Sequence, residues 1–74
     1  MQVSFDKVAN ALYLQFSHEK VKDSEEVNEG IIIDYGEDEN IIGIEILNYT
    51  ERKINLNEII KMDVDEIIPV IIQW

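Results

Sequence analysis

The chain reads as an α+β domain: an antiparallel sheet of two successive β-hairpins, followed by a C-terminal helix and a short terminal strand. Three observations predict this. Apolar and polar residues alternate with period two in two pairs of segments before residue 48. Turn-forming residues separate the members of each pair. After Asn55 the apolar spacing changes to three and four residues, the helical period.

The first pair is Met1-Gln2-Val3-Ser4-Phe5 and Ala11-Leu12-Tyr13-Leu14-Gln15-Phe16, with Asp6 to Asn10 between them. Setting Phe5 opposite Leu12 and Val3 opposite Leu14 gathers Met1, Val3, Phe5, Leu12, Leu14 and Phe16 on one side, so the hydrophobic pattern itself selects the register. The second pair is Ile31 to Tyr35 and Ile41 to Leu47, joined by Gly36-Glu37-Asp38-Glu39-Asn40. Here Ile33 falls opposite Ile44, Ile31 opposite Ile46 and Tyr35 opposite Ile42, which leaves Glu37 to Asn40 as a four-residue loop. The intervening polar stretch offers one further short strand, Val21 to Val27. The expected sheet core is Val3, Phe5, Leu12, Leu14, Phe16, Ile31, Ile33, Ile42, Ile44 and Ile46.

In the tail, Leu56, Ile59, Ile60, Val64, Ile67 and Ile68 recur at helical steps. Asn55 followed by Glu58 has the spacing of a capping box, and Ile54 with Ile59 that of a hydrophobic staple, so a helix begins at Leu56. Asp63, Asp65 and Glu66 would oppose the negative end of that helix's dipole, which predicts a break near Met62, with Asp63-x-x-Glu66 able to cap a second turn before Pro69. Val70-Ile71-Ile72-Gln73-Trp74 is apolar and largely β-branched and follows a proline, so it reads as a terminal strand.

With 74 residues the chain makes a single domain, residues 1–74, comprising a hairpin core over 1–47 and the helical segment and terminal strand over 48–74. A chain this short buries only about 60% of its unfolded surface. It has no cysteine, which removes disulfides, thiolate metal sites and thiol nucleophiles and fits a reducing, cytoplasmic setting. No signal peptide or membrane span is expected, since the apolar run Ile67 to Ile72 is interrupted by Pro69. Sixteen acidic against six basic residues give a formal charge of −10. That charge repels nucleic-acid phosphates and anionic membranes, and favours solubility or attraction to a basic partner protein.

The strings Ala11-Leu12-Tyr13-Leu14, Glu26-Val27 with Gly30, Ile33-Asp34-Tyr35 and Gly43-Ile44-Glu45-Ile46-Leu47, preceded by Asp6, resemble domain-of-unknown-function family 2283 over roughly residues 3–47. The chain departs from that family's usual pattern in its first turn, with Lys7 where proline is usual and Val8 or Ala9 where an acidic residue is usual. The resemblance implies a β-rich domain without an established activity, and an antitoxin-like role beside a toxin-like companion.

Opposite the core face, the same register places Tyr13, Gln15, Ile32, Asp34, Gly43 and Glu45, with Gly43 directly across from Asp34. A strand glycine admits close approach, and two carboxylates about one diagonal apart could hold a hard cation or share a proton, so Asp34 and Glu45 with Tyr13 are candidate metal or ligand residues. The simpler account is a solvated face on which Tyr13 lies over Gly43. His18, the single histidine, makes no zinc site alone, and Ser17 beside it points away on an extended chain. Asp63-x-Asp65 lacks the glycine of a calcium loop, that position being Ile68, and Gly30, Gly36 and Gly43 are too scattered for a phosphate loop. No catalytic set and no cofactor is expected.

The leading functional expectation is thus a non-enzymatic interaction module whose acidic surface meets a basic partner protein, with a metal- or ligand-binding protein using Asp34, Glu45 and Tyr13 as the alternative. A homodimer is expected, with Val70, Ile71, Ile72 and Trp74 at or next to the contact, because such a run is costly to leave in water.

Overall fold

The four alternating segments and one stretch of the polar connection become five strands in the computed structural model, which describes residues 1–72. They are β1 (Gln2–Asp6), β2 (Ala11–Gln15), β3 (Asp23–Asn28), β4 (Ile31–Tyr35) and β5 (Ile41–Leu47), followed by a 3-10 turn (Tyr49–Glu51) and two helices, α1 (Leu56–Ile59) and α2 (Val64–Ile72). One antiparallel sheet in the order β1-β2-β5-β4-β3 contains all five. Pairing of β2 with β5 joins the two expected hairpins, and the polar stretch supplies β3 as an outer strand. The chain is therefore α+β and mostly sheet, as the alternation predicts.

Register follows the hydrophobic pattern. Val3 pairs with Leu14, Phe5 with Leu12, Ile33 with Ile44 and Ile31 with Ile46, as expected. Tyr35, however, pairs with Ile41 rather than Ile42, because the ladder slips between Asp34 and Tyr35. The extra residue makes a bulge, whose carbonyl, that of Ile42, accepts from both the Phe16 and Ser17 amides. Ile42 is buried but lies apart from the main core cluster, whereas Ile41 and Tyr35 pack against it.

Leu12 and Leu14 of β2, Ile44 and Ile46 of β5, and Ile31 and Ile33 of β4 form one apolar layer, closed by Ile59, Ile67 and Ile71 from the helices. Val3 and Phe5 do not join it. They remain 39% and 44% exposed, because β1 is an edge strand and all five of its residues lie in solvent. Phe16 is only partly buried.

The tail corrects one expectation. Residues 70–72 are helical, not strand, and Pro69 lies inside α2. Asp63 and Glu66 do cap this second helix, Glu66 Oε1 accepting from the Asp63 amide at 3.2 Å, and Asp65 and Glu66 occupy its favourable first turn. Helix then continues through Pro69 because Ile67 and Ile71, four residues apart, reach the sheet together and are both fully buried. A strand would set the same two side chains about 13 Å apart, against about 6 Å along a helix, too far to close one patch of the layer together. The break near Met62 is present, since α1 ends at Ile59 and Asn55 Oδ1 caps its start by accepting from Asn57. Trp74 lies outside the described residues.

Leu14→Ala is expected to destabilise the domain by about 2–5 kcal/mol, while Val3→Ala, at the exposed edge, should cost well under half of that. Chemical denaturation of the two variants checks the ranking, and equal losses would contradict the burial difference.

Candidate functional site

Tyr13 on β2, Glu45 and Gly43 on β5, and Asp34 on β4 share the face opposite the core, as the register requires. The ladder sets Gly43 between Gln15 and Asp34, and Glu45 between Tyr13 and Ile32. Lacking a side chain, Gly43 leaves a gap across which the Tyr13 ring lies diagonally: a Cβ built at Gly43 would collide with Tyr13 Oη and Cζ. Tyr13 Oη thereby reaches across β5 and donates to Asp34 Oδ2 at 2.9 Å.

The other Asp34 oxygen, Oδ1, accepts from Ser24 Oγ on β3 at 2.6 Å. A single carboxylate thus ties β2, β4 and β3 together over the glycine. Ser24 was not among the sequence candidates, because its strand pattern is masked by the acidic run around it, and only the pairing of Ser24 with Asp34 reveals the contact. Burial first, then the Asp34 hydrogen bond and the charges of Asp34 and Glu45, push the Tyr13 phenol up to about 12. At neutral pH Tyr13 is therefore a fixed donor, and Asp34 accepts on both of its oxygens.

Glu45 is near enough to act on Tyr13 electrostatically. No cluster of three or more His, Cys, Asp or Glu side chains arranged to hold a metal ion occurs among the described residues. Ser17 and His18 do not form a nucleophile pair, since Ser17 Oγ accepts from the Glu19 amide and His18 Nδ1 lies 3.4 Å from Gln15 Nε2. Of the residues proposed for self-contact, Ile71 is spent in the core and Val70 is half-buried.

A different grouping emerges at the β3 end of the sheet. Asp23 and Glu25 of β3 and Glu37 and Glu39 of the β4–β5 loop line one shallow depression, together with Lys22 and Tyr35. The loop is shaped by the left-handed backbone of Glu39, φ 62°, and by the Gly36 amide donating to the Asn40 carbonyl at 2.9 Å. Asn40 also donates from its side chain to Glu19, which holds residues 17–22 against this loop. Glu19, Lys20, Lys22, Glu37 and Asp38 flank a second concavity alongside.

Gly43→Ala is expected to cost about 1–3 kcal/mol by displacing Tyr13, with the cost reduced when Tyr13→Ala is added, and a denaturant double-mutant cycle measures that coupling. Because the folded Tyr13 pKa is raised from 10.0 to about 12, the stability it contributes is complete below pH 10 and is lost as pH rises toward 12. Ultraviolet titration should show one of the three tyrosines ionising late, and Tyr13→Phe should remove that step. A single common transition for all three would contradict this.

The model of a protein family described as "Protein of unknown function (DUF2283)" matches residues 2–49. That segment comprises all five strands and the start of the 3-10 turn. No curated protein and no solved structure matches the chain.

Proposed function

The chain belongs to domain-of-unknown-function family 2283, a membership that names no activity, and from its geometry we propose a non-enzymatic interaction module that docks a basic segment of a partner protein. The depression between β3 and the β4–β5 loop carries this reading: four acidic residues line it against the single basic residue Lys22, with Tyr35 beside them. An arginine or lysine entering there gains Coulomb attraction to several carboxylates. The overall charge of −10 adds long-range steering toward such a partner. An antitoxin-like role, in which the domain neutralises a basic companion, is one form of this function.

The polar face around Asp34 supports the non-enzymatic part of the reading. Tyr13 and Ser24 occupy both oxygens of that carboxylate, and a phenol raised to about 12 is a poor base or nucleophile at neutral pH. The network fits a strut across the sheet better than a reaction centre. No helix among the described residues is long and apolar enough to cross a membrane, and with no cysteine the chain suits a reducing cytoplasm.

The probe is an arginine-rich peptide presented to the full chain. Its association rate should fall steeply with added salt, by about tenfold or more between low and physiological ionic strength. Converting Glu25, Glu37 and Glu39 to glutamine should weaken binding far more than converting Glu51, Glu58 and Asp65 to their amides, although each set removes three charges. Equal losses would reduce the effect to net charge and sink the assignment of this face.

A further inference from the structure

The two edges of the sheet are chemically unlike. The outer strand β3 carries Asp23, Glu25 and Glu26, the charged decoration that blocks strand addition. At the other edge, β1 has no charge from Gln2 to Phe5, and Val3 and Phe5 stay substantially exposed although their side chains point to the core face. On a chain of charge −10, β1 is thus a neutral, partly apolar strip along which a second copy can approach.

The backbone ladder says which β1 groups are unsatisfied. The Phe16 amide donates to Ile42 on β5, so by alternation Leu12 and Leu14 direct their N–H and C=O groups toward β5, while Ala11, Tyr13 and Gln15 direct theirs toward β1. The Leu47 amide, which donates to Gly30 on the far side of β5, fits the same phase. Gln2, Ser4 and Asp6, opposite Gln15, Tyr13 and Ala11, therefore turn inward to β2. Val3 and Phe5 turn their backbone groups outward, and these are the same two residues whose side chains the helices leave uncovered.

We infer that β1 is a homodimer interface, in which two copies pair β1 antiparallel about a two-fold axis through Ser4. In this register Val3 of one copy lies opposite Phe5 of the other, twice, and each such pair exchanges two backbone hydrogen bonds. Val3 and Phe5 of both copies then abut on the core face, extending the apolar layer across the axis. Phe5 is already held in place, its ring meeting Tyr49 edge-on at 5.8 Å. Gln2 falls opposite Asp6, so no like charges within β1 oppose one another. Shifting the axis to Val3 or to Phe5 leaves one of the two outward-facing residues without its counterpart. The pairing is isologous and closes at two, and the acidic β3 strands at both ends of the resulting ten-stranded sheet stop further growth. This contact shares no residue with the acidic depression, so the two readings stand or fall separately.

Because the chain lacks cysteine, single thiols can read the register. Facing Ser4 positions form a non-hydrogen-bonded pair with Cα atoms roughly 4.5 Å apart, within disulfide range. Ser4→Cys should therefore cross-link to a dimer under mild oxidation. Gln2→Cys, whose own copies lie four residues out of step, and Glu25→Cys on β3 should cross-link much more slowly. Sedimentation of the unmodified chain at high micromolar concentration should give a dimer, and Val3→Lys should give a monomer with an unchanged circular dichroism spectrum. A monomeric parent chain, a dimer indifferent to Val3→Lys, or Ser4→Cys no faster than either control would overturn the inference.

Discussion

The rest of the structure depends on a one-sided apolar layer. Leu12, Leu14, Ile31, Ile33, Ile44 and Ile46 come from the three inner strands and face the same way, so the sheet cannot stand in water without a cover. Ile59, Ile67 and Ile71 provide it. At about 1.5–3 kcal/mol for each fully buried aliphatic side chain, closing this layer outweighs the local preferences of the tail, including the cost of a proline within a helix. The family match ends at residue 49, so the cover is built from sequence beyond the matched segment.

Closing one face leaves the other free to be polar, and there the sheet is braced differently. Gly43 gives up a side chain on β5, Tyr13 lies over the gap, and Asp34 receives the Tyr13 and Ser24 hydroxyls from either side. Three strands are linked through one carboxylate without a buried unpaired charge. The acidity concentrated around β3 and the β4–β5 loop stays exposed, available to a partner and incompatible with another strand's edge.

The legible parts were those where a single periodicity decides. Alternation in residues 1–16 and 31–47 set the pairings of Val3, Phe5, Ile31 and Ile33, and hence the juxtaposition of Asp34 with Gly43. It could not show the bulge at Ile42, because Ile41 and Ile42 are equally apolar and either could face the core. Nor could it rank the strands by position: Val3 and Phe5 have core-like patterns, and only the strand order places them at an edge the helices do not reach. Residues 70–72 have strand propensity, but the spacing of Ile67 and Ile71 carried more free energy than propensity did. Ser24 was hidden for the opposite reason: it falls in the short strand expected over Val21 to Val27, but neighbours so uniformly polar carry no alternation to fix its register opposite Asp34.

The segment between sheet and helices is stitched to both hairpins. Asn10, left-handed at φ 53°, donates to Thr50 Oγ1 and accepts from the Thr50 amide, while its carbonyl accepts from Tyr49. Arg52 donates to the Leu47 carbonyl at 2.7 Å and to that of Glu29 at 2.6 Å, filling the space a Cβ on Gly30 would need. Freeing residues 49–52 from the sheet therefore breaks contacts at the first turn and at the β3–β4 turn at once. The first turn and the β3–β4 turn, far apart in sequence, are thereby coupled through residues 49–52, and their amides should lose protection together when that segment opens.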